Sequence, residues 1–198
     1  KEIERRHVWH PFTQMRDWES EDPLFIESAR GVKVRDAEGR EYYDANSSLW
    51  VNVHGHRRPE MDAAIAEQLG RVAHTTLIGL THRPAAILAE KLARLAPPGL
   101  TRVFFSDGGA EAVEIAVKMA YQFWQHQGQP QRSRFVALAA GYHGDTVGAV
   151  SVGGVPVFHE LFRPLLFDAD FAPCPAHCRD AEEAAAGLER ILEHRQGE

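Results

Sequence analysis

A short glycine-bearing turn near the middle of the chain has the residue types of an anion site. The segment Ser106-Asp107-Gly108-Gly109-Ala110-Glu111 stands between a β-prone stretch and a stretch with helical periodicity. Free N–H groups and the positive dipole end of a helix N-terminus attract phosphate, and glycines allow close backbone approach. Two interpretations fit this spacing: a phosphate cradle in which Gly108 and Gly109 admit the anion and Ser106 adds a hydroxyl donor, or a turn capped by Ser106 or Asp107. The turn matches neither a Walker A loop nor GxGxxG, which disfavours ATP hydrolysis and a standard dinucleotide fold.

A second polar loop, Gly141-Tyr142-His143-Gly144-Asp145-Thr146, follows the next β-prone stretch. In a parallel α/β sheet, loops after neighbouring strands open on the same edge, where ligands bind. Tyr142 is therefore predicted to stack on a flat ring beside the phosphate, with His143 and Asp145 as nearby titratable groups. The alternative is a glycine-flanked turn with a satisfied polar network. The presence of both loops favours the ligand site.

Two aromatic segments precede these loops. Residues 9–15 read WHPFTQM, and residues 47–50 read SSLW. Such aromatic density in an N-terminal arm predicts a segment that packs over another surface rather than frays. Trp50 is a candidate pocket wall, although core packing is the commoner role of a tryptophan.

Metal chemistry is disfavoured by the cysteine and histidine spacing. Cys174 and Cys178 flank His177, but a zinc site usually needs four ligands and the chain has no second cysteine pair. His7 and His10 are three residues apart, but Pro11 disfavours a helix that would bring them to one face. We therefore predict no metal. Two cysteines do not make a disulfide scaffold, and a reducing, cytoplasmic location fits best.

Composition restricts the remaining classes. The 198 residues are 44% hydrophobic and 25% charged, with 22 basic and 28 acidic side chains and a net charge of −6. These values are typical of a globular protein. The absence of a basic cluster disfavours nucleic acid as a partner, and no apolar run approaches the roughly 18 residues of a membrane span.

The elements that must position these loops follow from hydrophobic periodicity. Strands at 24–27, 32–35 and 40–44 form a small antiparallel meander. Helices are predicted at 59–72, 84–95, 110–127 and 180–195, with strands at 101–105 and 134–138. The alternation of helices and strands predicts an α/β fold with a mostly parallel sheet.

In this order, the WHPFTQM, SSLW, SDGGAE and GYHGDT segments resemble class III aminotransferases, which use pyridoxal 5′-phosphate (PLP) on the fold type I architecture. The WHPFTQM segment points to the branch that acts in biotin biosynthesis. The resemblance implies an N-terminal arm and antiparallel meander over 1–55, as part of a small domain. It assigns 56–198 to the first part of a large PLP-binding domain, with helices on both faces of a truncated, mostly parallel sheet.

The resemblance also implies roles for individual residues. Gly108, Gly109 and Ala110 would hold the PLP phosphate, and Tyr142 would lie against the cofactor ring and border the substrate. Phe12, Leu49 and Trp50 would form part of the wall for 8-amino-7-oxononanoate, which is converted to 7,8-diaminononanoate. Enzymes that use S-adenosylmethionine as amino donor usually carry Tyr and Trp where Phe12 and Leu49 stand. Lysine is therefore favoured as the donor, with S-adenosylmethionine as the alternative.

The Schiff-base lysine of PLP chemistry has no match in the chain. The lysines are at positions 1, 33, 91 and 118, in the N-terminus, the meander and two helices. We therefore expect a truncated product that has no catalytic residue of its own and is inactive alone. The resemblance implies that the intact enzyme is a homodimer, because sites of this fold type form between two subunits. The alternatives are another class III enzyme acting on ω-amino acids, or a non-catalytic half that needs a C-terminal partner chain.

Overall fold

The computed structural model describes residues 1–196, apart from the side chain of residue 158. Its helices are α1 (Glu2–His7), α2 (Met15–Trp18), α3 (Ser47–Trp50), α4 (Pro59–Leu69), α5 (Arg83–Leu95), α6 (Gly109–His126), α7 (Val147–Ser151), α8 (Pro156–His159) and α9 (Ala181–His194). Its strands are β1 (Ile26–Arg30), β2 (Lys33–Asp36), β3 (Glu41–Tyr43), β4 (Phe135–Leu138) and β5 (Ala169–Ala172). The chain forms two compact units, Lys1–Leu88 and Ala89–Glu198, and the division falls within α5.

The first unit is built on the predicted meander. Its three strands pair antiparallel in the order β1-β2-β3, which confirms the interpretation of residues 24–44. Gly31 makes the β1–β2 turn with a φ of 58°, in the left-handed region that glycine tolerates.

A buried carboxylate closes the turn between β2 and β3. Asp36 is 2% exposed and accepts hydrogen bonds from the Arg40 backbone N–H at 2.8 Å and from Arg40 Nε at 2.7 Å. The Tyr42 hydroxyl donates a third at 3.1 Å. Burial alone would raise the pKa of Asp36. The hydrogen bonds from Arg40 and Tyr42 outweigh this effect, so the pKa lies below its ordinary value. The charge is therefore buried with its partners, as a stable buried ion requires.

The second unit has the predicted α/β character. β4 and β5 pair in parallel, and helices α6 and α9 form where the apolar stripes predicted them. Asp180 caps α9 by accepting a hydrogen bond from the Glu183 N–H at 2.8 Å. The buried apolar residues are small and centre on α7 and β5; they are Ala149, Val150, Val152, Ala172 and Ala184.

The strand predicted at 101–105 is wrong. These residues pair with no strand in the described part of the chain. β-propensity reflects fit to a pleated, half-buried surface, so it does not make a strand where no partner offers a ladder. Conversely, β5 was not predicted, because its sequence ADFA is too short to show alternation. Across residues 1–196, no helix has the length and apolar character needed to cross a membrane.

Candidate active site

The N-terminus of α6 is open to a ligand. Gly108 stands at the N-cap in an extended conformation, and no side chain makes a capping hydrogen bond there. Ser106 instead donates its hydroxyl to the Gly108 carbonyl oxygen at 3.2 Å. The interpretation of this turn as a helix capped by Ser106 or Asp107 is therefore wrong. The first-turn N–H groups, which have no partner within a helix, remain available to an anion.

The 141–146 loop packs directly on this turn. Gly144 has a φ of 115°, and a Cβ placed on it would lie 2.9 Å from the Ala110 Cα and still closer to the Ala110 Cβ. The backbone of one loop therefore touches the first turn of α6 at a distance that only glycine allows. The structure thus brings together the two loops that the sequence singled out.

A carboxylate from α6 holds the end of the 141–146 loop. Glu114 Oε1 accepts hydrogen bonds from the backbone N–H groups of Gly148 at 2.7 Å and Ala149 at 3.2 Å, in the first turn of α7. The Thr146 hydroxyl beside the carboxylate is the main cause that lowers the pKa of Glu114; burial opposes this shift, and the two backbone donors support it. From the sequence, Glu114 and Lys118 suggest an ordinary surface pair, because they are four residues apart on a helix. The structure shows instead that Glu114 binds α7 to α6.

Tyr142 is oriented by its own loop. Its hydroxyl donates a hydrogen bond to Asp145 Oδ2 at 2.7 Å, and its side chain remains 48% exposed. This hydrogen bond raises the pKa of the Tyr142 hydroxyl, and desolvation raises it further. An exposed ring with a tethered hydroxyl can offer a face to a flat ligand while staying in one orientation.

We predict that Asp145→Asn lowers the pKa of the Tyr142 hydroxyl towards that of an ordinary tyrosine, because the negative acceptor is lost. Ultraviolet titration of the phenol measures this shift, with Tyr142→Phe identifying the Tyr142 component. Asp107→Asn, an exposed aspartate in the other loop, serves as the matched control and leaves the titration unchanged. An unchanged titration in Asp145→Asn would show that the hydrogen bond is not kept in solution.

The predicted substrate-wall residues Phe12, Leu49 and Trp50 belong to the first unit. Each is exposed there, at 86%, 60% and 70% respectively, and each has a positive φ. Within residues 1–196, no group of three or more His, Cys, Asp or Glu side chains is placed to hold a metal ion.

Comparison with known proteins identifies the family. The model of the family "Aminotransferase class-III" matches residues 15–197. The chain belongs to the class-III aminotransferases.

Curated relatives named adenosylmethionine-8-amino-7-oxononanoate aminotransferase match over nearly the whole chain. The one from Geobacter sulfurreducens is 49% identical over 100% of this chain and 46% of its own length. The one from Anoxybacillus flavithermus is 50% identical over 98% of this chain and 45% of its own length. The chain therefore spans under half the length of these relatives.

Solved transaminase structures have the same fold. The adenosylmethionine-8-amino-7-oxononanoate aminotransferase of Methanocaldococcus jannaschii matches with a TM-score of 0.89 and 43% identity, over 97% of this chain and 44% of that one. An (S)-enantioselective omega-transaminase from Thermomicrobium roseum matches with a TM-score of 0.87 and 35% identity, over 98% and 46%. These matches confirm the α/β class and show that this chain corresponds to part of the fold.

The family and its structures point to PLP as the cofactor. The omega-transaminase of Pseudomonas jessenii, whose structure contains PMP, matches with a TM-score of 0.88 and 30% identity, over 98% of this chain and 46% of that one. The residues present here fit the phosphate end of such a cofactor. The α6 N-terminus lacks a side-chain cap, and the Gly144 backbone packs against Ala110 in the first turn of α6.

Proposed function

We propose that this chain forms the N-terminal part of an aminotransferase that converts 8-amino-7-oxononanoate to 7,8-diaminononanoate in biotin biosynthesis. The observation that carries this proposal is the 49% identity to a relative of that name across all of the chain. The paired loops at the α6 N-terminus support it, because a helix N-terminus without a side-chain cap suits the phosphate of PLP.

In this proposal, each part of the site has a defined task. The N–H groups of Gly109 and Ala110 bind the PLP phosphate, with Gly108 extended ahead of them. Tyr142 lies against the cofactor ring and borders the substrate. The bound cofactor supplies an electrophilic carbonyl and an electron sink for the transferred amino group.

Substrate contact and Schiff-base formation involve residues outside the second unit. Phe12, Leu49 and Trp50 form part of the wall around the 8-amino-7-oxononanoate ketone. The residues that form the Schiff base and face the pyridinium nitrogen come from the part of the protein that this chain does not contain. We propose a homodimer, which the family resemblance implies, and a cytoplasmic location, which the low cysteine content favours.

Turnover by the complete gene product tests the proposed reaction. The enzyme is incubated with 8-amino-7-oxononanoate and either lysine or S-adenosylmethionine, and 7,8-diaminononanoate is measured by mass spectrometry. We expect product with one of the two donors. The names of the matched relatives indicate S-adenosylmethionine as the amino donor, whereas Phe12 and Leu49 favour lysine. The donor that supports turnover therefore shows which of the two the enzyme uses.

A different substrate would overturn the proposal. The structural matches also include omega-transaminases, at 30–35% identity against 43% for the amino-oxononanoate enzyme. Strong activity of the complete enzyme on simple ω-amino acids, with none on the ketone, would assign the protein to that class instead.

The 198-residue chain alone is expected to bind PLP reversibly and to lack transaminase activity. Its lysines lie at positions 1, 33, 91 and 118, away from both loops in the sequence. We therefore expect no Schiff-base absorbance band when the chain is titrated with PLP. A band at stoichiometric PLP would show that one of these lysines serves the cofactor.

A further inference from the structure

The segment Ser47–Trp50, named above as the short helix α3, is a left-handed turn. Its residues have φ values of 55°, 50°, 62° and 57°, so four consecutive residues with side chains are left-handed. L-residues other than glycine adopt this conformation singly and at a cost, because the Cβ crowds the following carbonyl oxygen. The turn buries little apolar surface in the first unit that could offset this cost, since Leu49 and Trp50 are 60% and 70% exposed. Packing within the described part of this unit therefore does not explain it.

The Asp44 carboxylate holds the centre of this left-handed turn, and Asn46 Oδ1 accepts a longer hydrogen bond from the Leu49 N–H at 3.4 Å. Asp44 Oδ1 accepts a hydrogen bond from the Ser48 N–H at 2.7 Å, and Oδ2 accepts one from the Ser48 hydroxyl at 2.8 Å. His56 Nε2 donates to the same Oδ2 at 2.8 Å. The side chains of Asp44 and His56 are only 9% and 16% exposed. The two residues form a mostly buried clamp on the centre of the turn.

The clamp is attached to the meander through its own backbone. The Asp44 N–H donates to the Val32 carbonyl oxygen at 2.9 Å. His56 exchanges two backbone hydrogen bonds with Gly31, at 2.8 and 3.0 Å. Gly55, just before it, has no room for a side chain, because a Cβ there would lie 2.9 Å from the Gly31 carbonyl oxygen. Both halves of the clamp are thus fixed to the β1–β2 turn.

We propose that Asp44 and His56 are positioning residues that keep the left-handed turn, and with it Leu49 and Trp50, in the shape that borders the substrate. Strain of this kind persists only where surrounding structure over-determines it, and it collects at ligand sites. The inference rests on the proposed function for the identity of the substrate, and on the structure alone for the clamp.

Nuclear magnetic resonance of the 198-residue chain tests the clamp. A residue with positive φ gives a strong intraresidue NOE between its HN and Hα. We expect strong signals at Ser48 and Leu49 in the native chain and their loss in Asp44→Ala. Asp62→Ala, an exposed aspartate on α4, is the matched control and keeps them. Cross-strand NOEs in the meander report whether each variant is folded.

A second pair of variants keeps the test decisive if Asp44→Ala does not fold. Asp44→Asn weakens the clamp without removing its bulk. Ser47→Gly relieves part of the left-handed strain, because glycine adopts positive φ freely. We expect Ser47→Gly to raise the urea midpoint in the native chain and to raise it less in the Asp44→Asn background, because a weakened clamp enforces less of the left-handed strain that glycine relieves. Equal shifts in the two backgrounds, or positive-φ signals that survive in Asp44→Ala, would overturn the proposal.

The complete enzyme tests the link to substrate. We expect Asp44→Asn to raise KM for 8-amino-7-oxononanoate about tenfold while kcat changes less, and Ser47→Gly to restore part of the loss. An unchanged KM in a variant that has lost the positive-φ signals would overturn the positioning role while leaving the transaminase activity in place. A native enzyme inactive on this ketone would instead refute the proposed function, and the NOE result on the clamp would stand separately.

Discussion

Gly144→Ala is expected to separate the two loops at the α6 N-terminus and to weaken PLP binding by at least about tenfold. The new Cβ meets Ala110, at 2.9 Å from its Cα and closer to its Cβ, so the loop must move away from the phosphate cradle. The φ of 115° adds backbone strain. Together, left-handed strain of about 1–2 kcal/mol and overpacking of about 1–3 kcal/mol predict a loss of roughly 3 kcal/mol in the free energy of unfolding. Urea unfolding and PLP titration measure the two effects.

Gly99→Ala is the matched control for this prediction. Gly99 also has a positive φ, of 96°, but a Cβ there would meet no atom within 4 Å. It should therefore lose only the strain component, about 1–2 kcal/mol, and leave PLP affinity unchanged. Equal losses in the two variants would mean that the contact with Ala110 adds nothing.

Glu114→Ala is expected to destabilise the second unit by about 3 kcal/mol, since it leaves two buried N–H groups without an acceptor at about 1–3 kcal/mol each. Those groups belong to Gly148 and Ala149, both buried at the start of α7. Chemical unfolding measures the loss. Glu189→Ala, at an exposed position on α9, is the control and should change stability by less than about 0.5 kcal/mol.

Glu114 also predicts a pH dependence with a defined sign. Its pKa is lower in the folded protein than in the unfolded chain, with the Thr146 hydroxyl as the main cause. The stabilisation by this carboxylate is therefore complete above the ordinary glutamate pKa and is lost as the pH falls through the folded-state value. Glu114→Gln should flatten this part of the stability profile, whereas Glu189→Gln should keep it. A profile unchanged by Glu114→Gln would contradict this assignment.

Local sequence patterns predicted the elements with strong periodicity. The meander has alternating residues and glycine turns, and α6 and α9 have clear apolar stripes, so each formed where expected. The strand at 101–105 was wrong because pairing depends on a partner strand, which a local pattern does not reveal.

The sequence predicted the two loops of the candidate site but not the residues that hold those loops and the substrate-wall turn in place. The rule that parallel strands open their loops on one edge predicted Gly109 and Tyr142 in neighbouring loops. The two loops do meet, through Gly144 and Ala110, although residues 101–105 form no strand. The hydrogen bond between Glu114 and the Gly148 N–H joins residues 34 positions apart. Local spacing rules do not predict contacts at that sequence separation. The left-handed turn at Ser47–Trp50 also left no signal, because glycine and asparagine, the usual markers of positive φ, are absent from those four positions.

The contact between Gly144 and Ala110 has a consequence for how such a site can evolve. Residue 110 faces the backbone of the 141–146 loop, and residue 144 faces the first turn of α6, with no space between them for an added Cβ. A larger side chain at either position is harmful unless the other loop changes as well. The two positions are therefore epistatic, and an evolutionary path that remodels one loop must pass through a compensating change in the other.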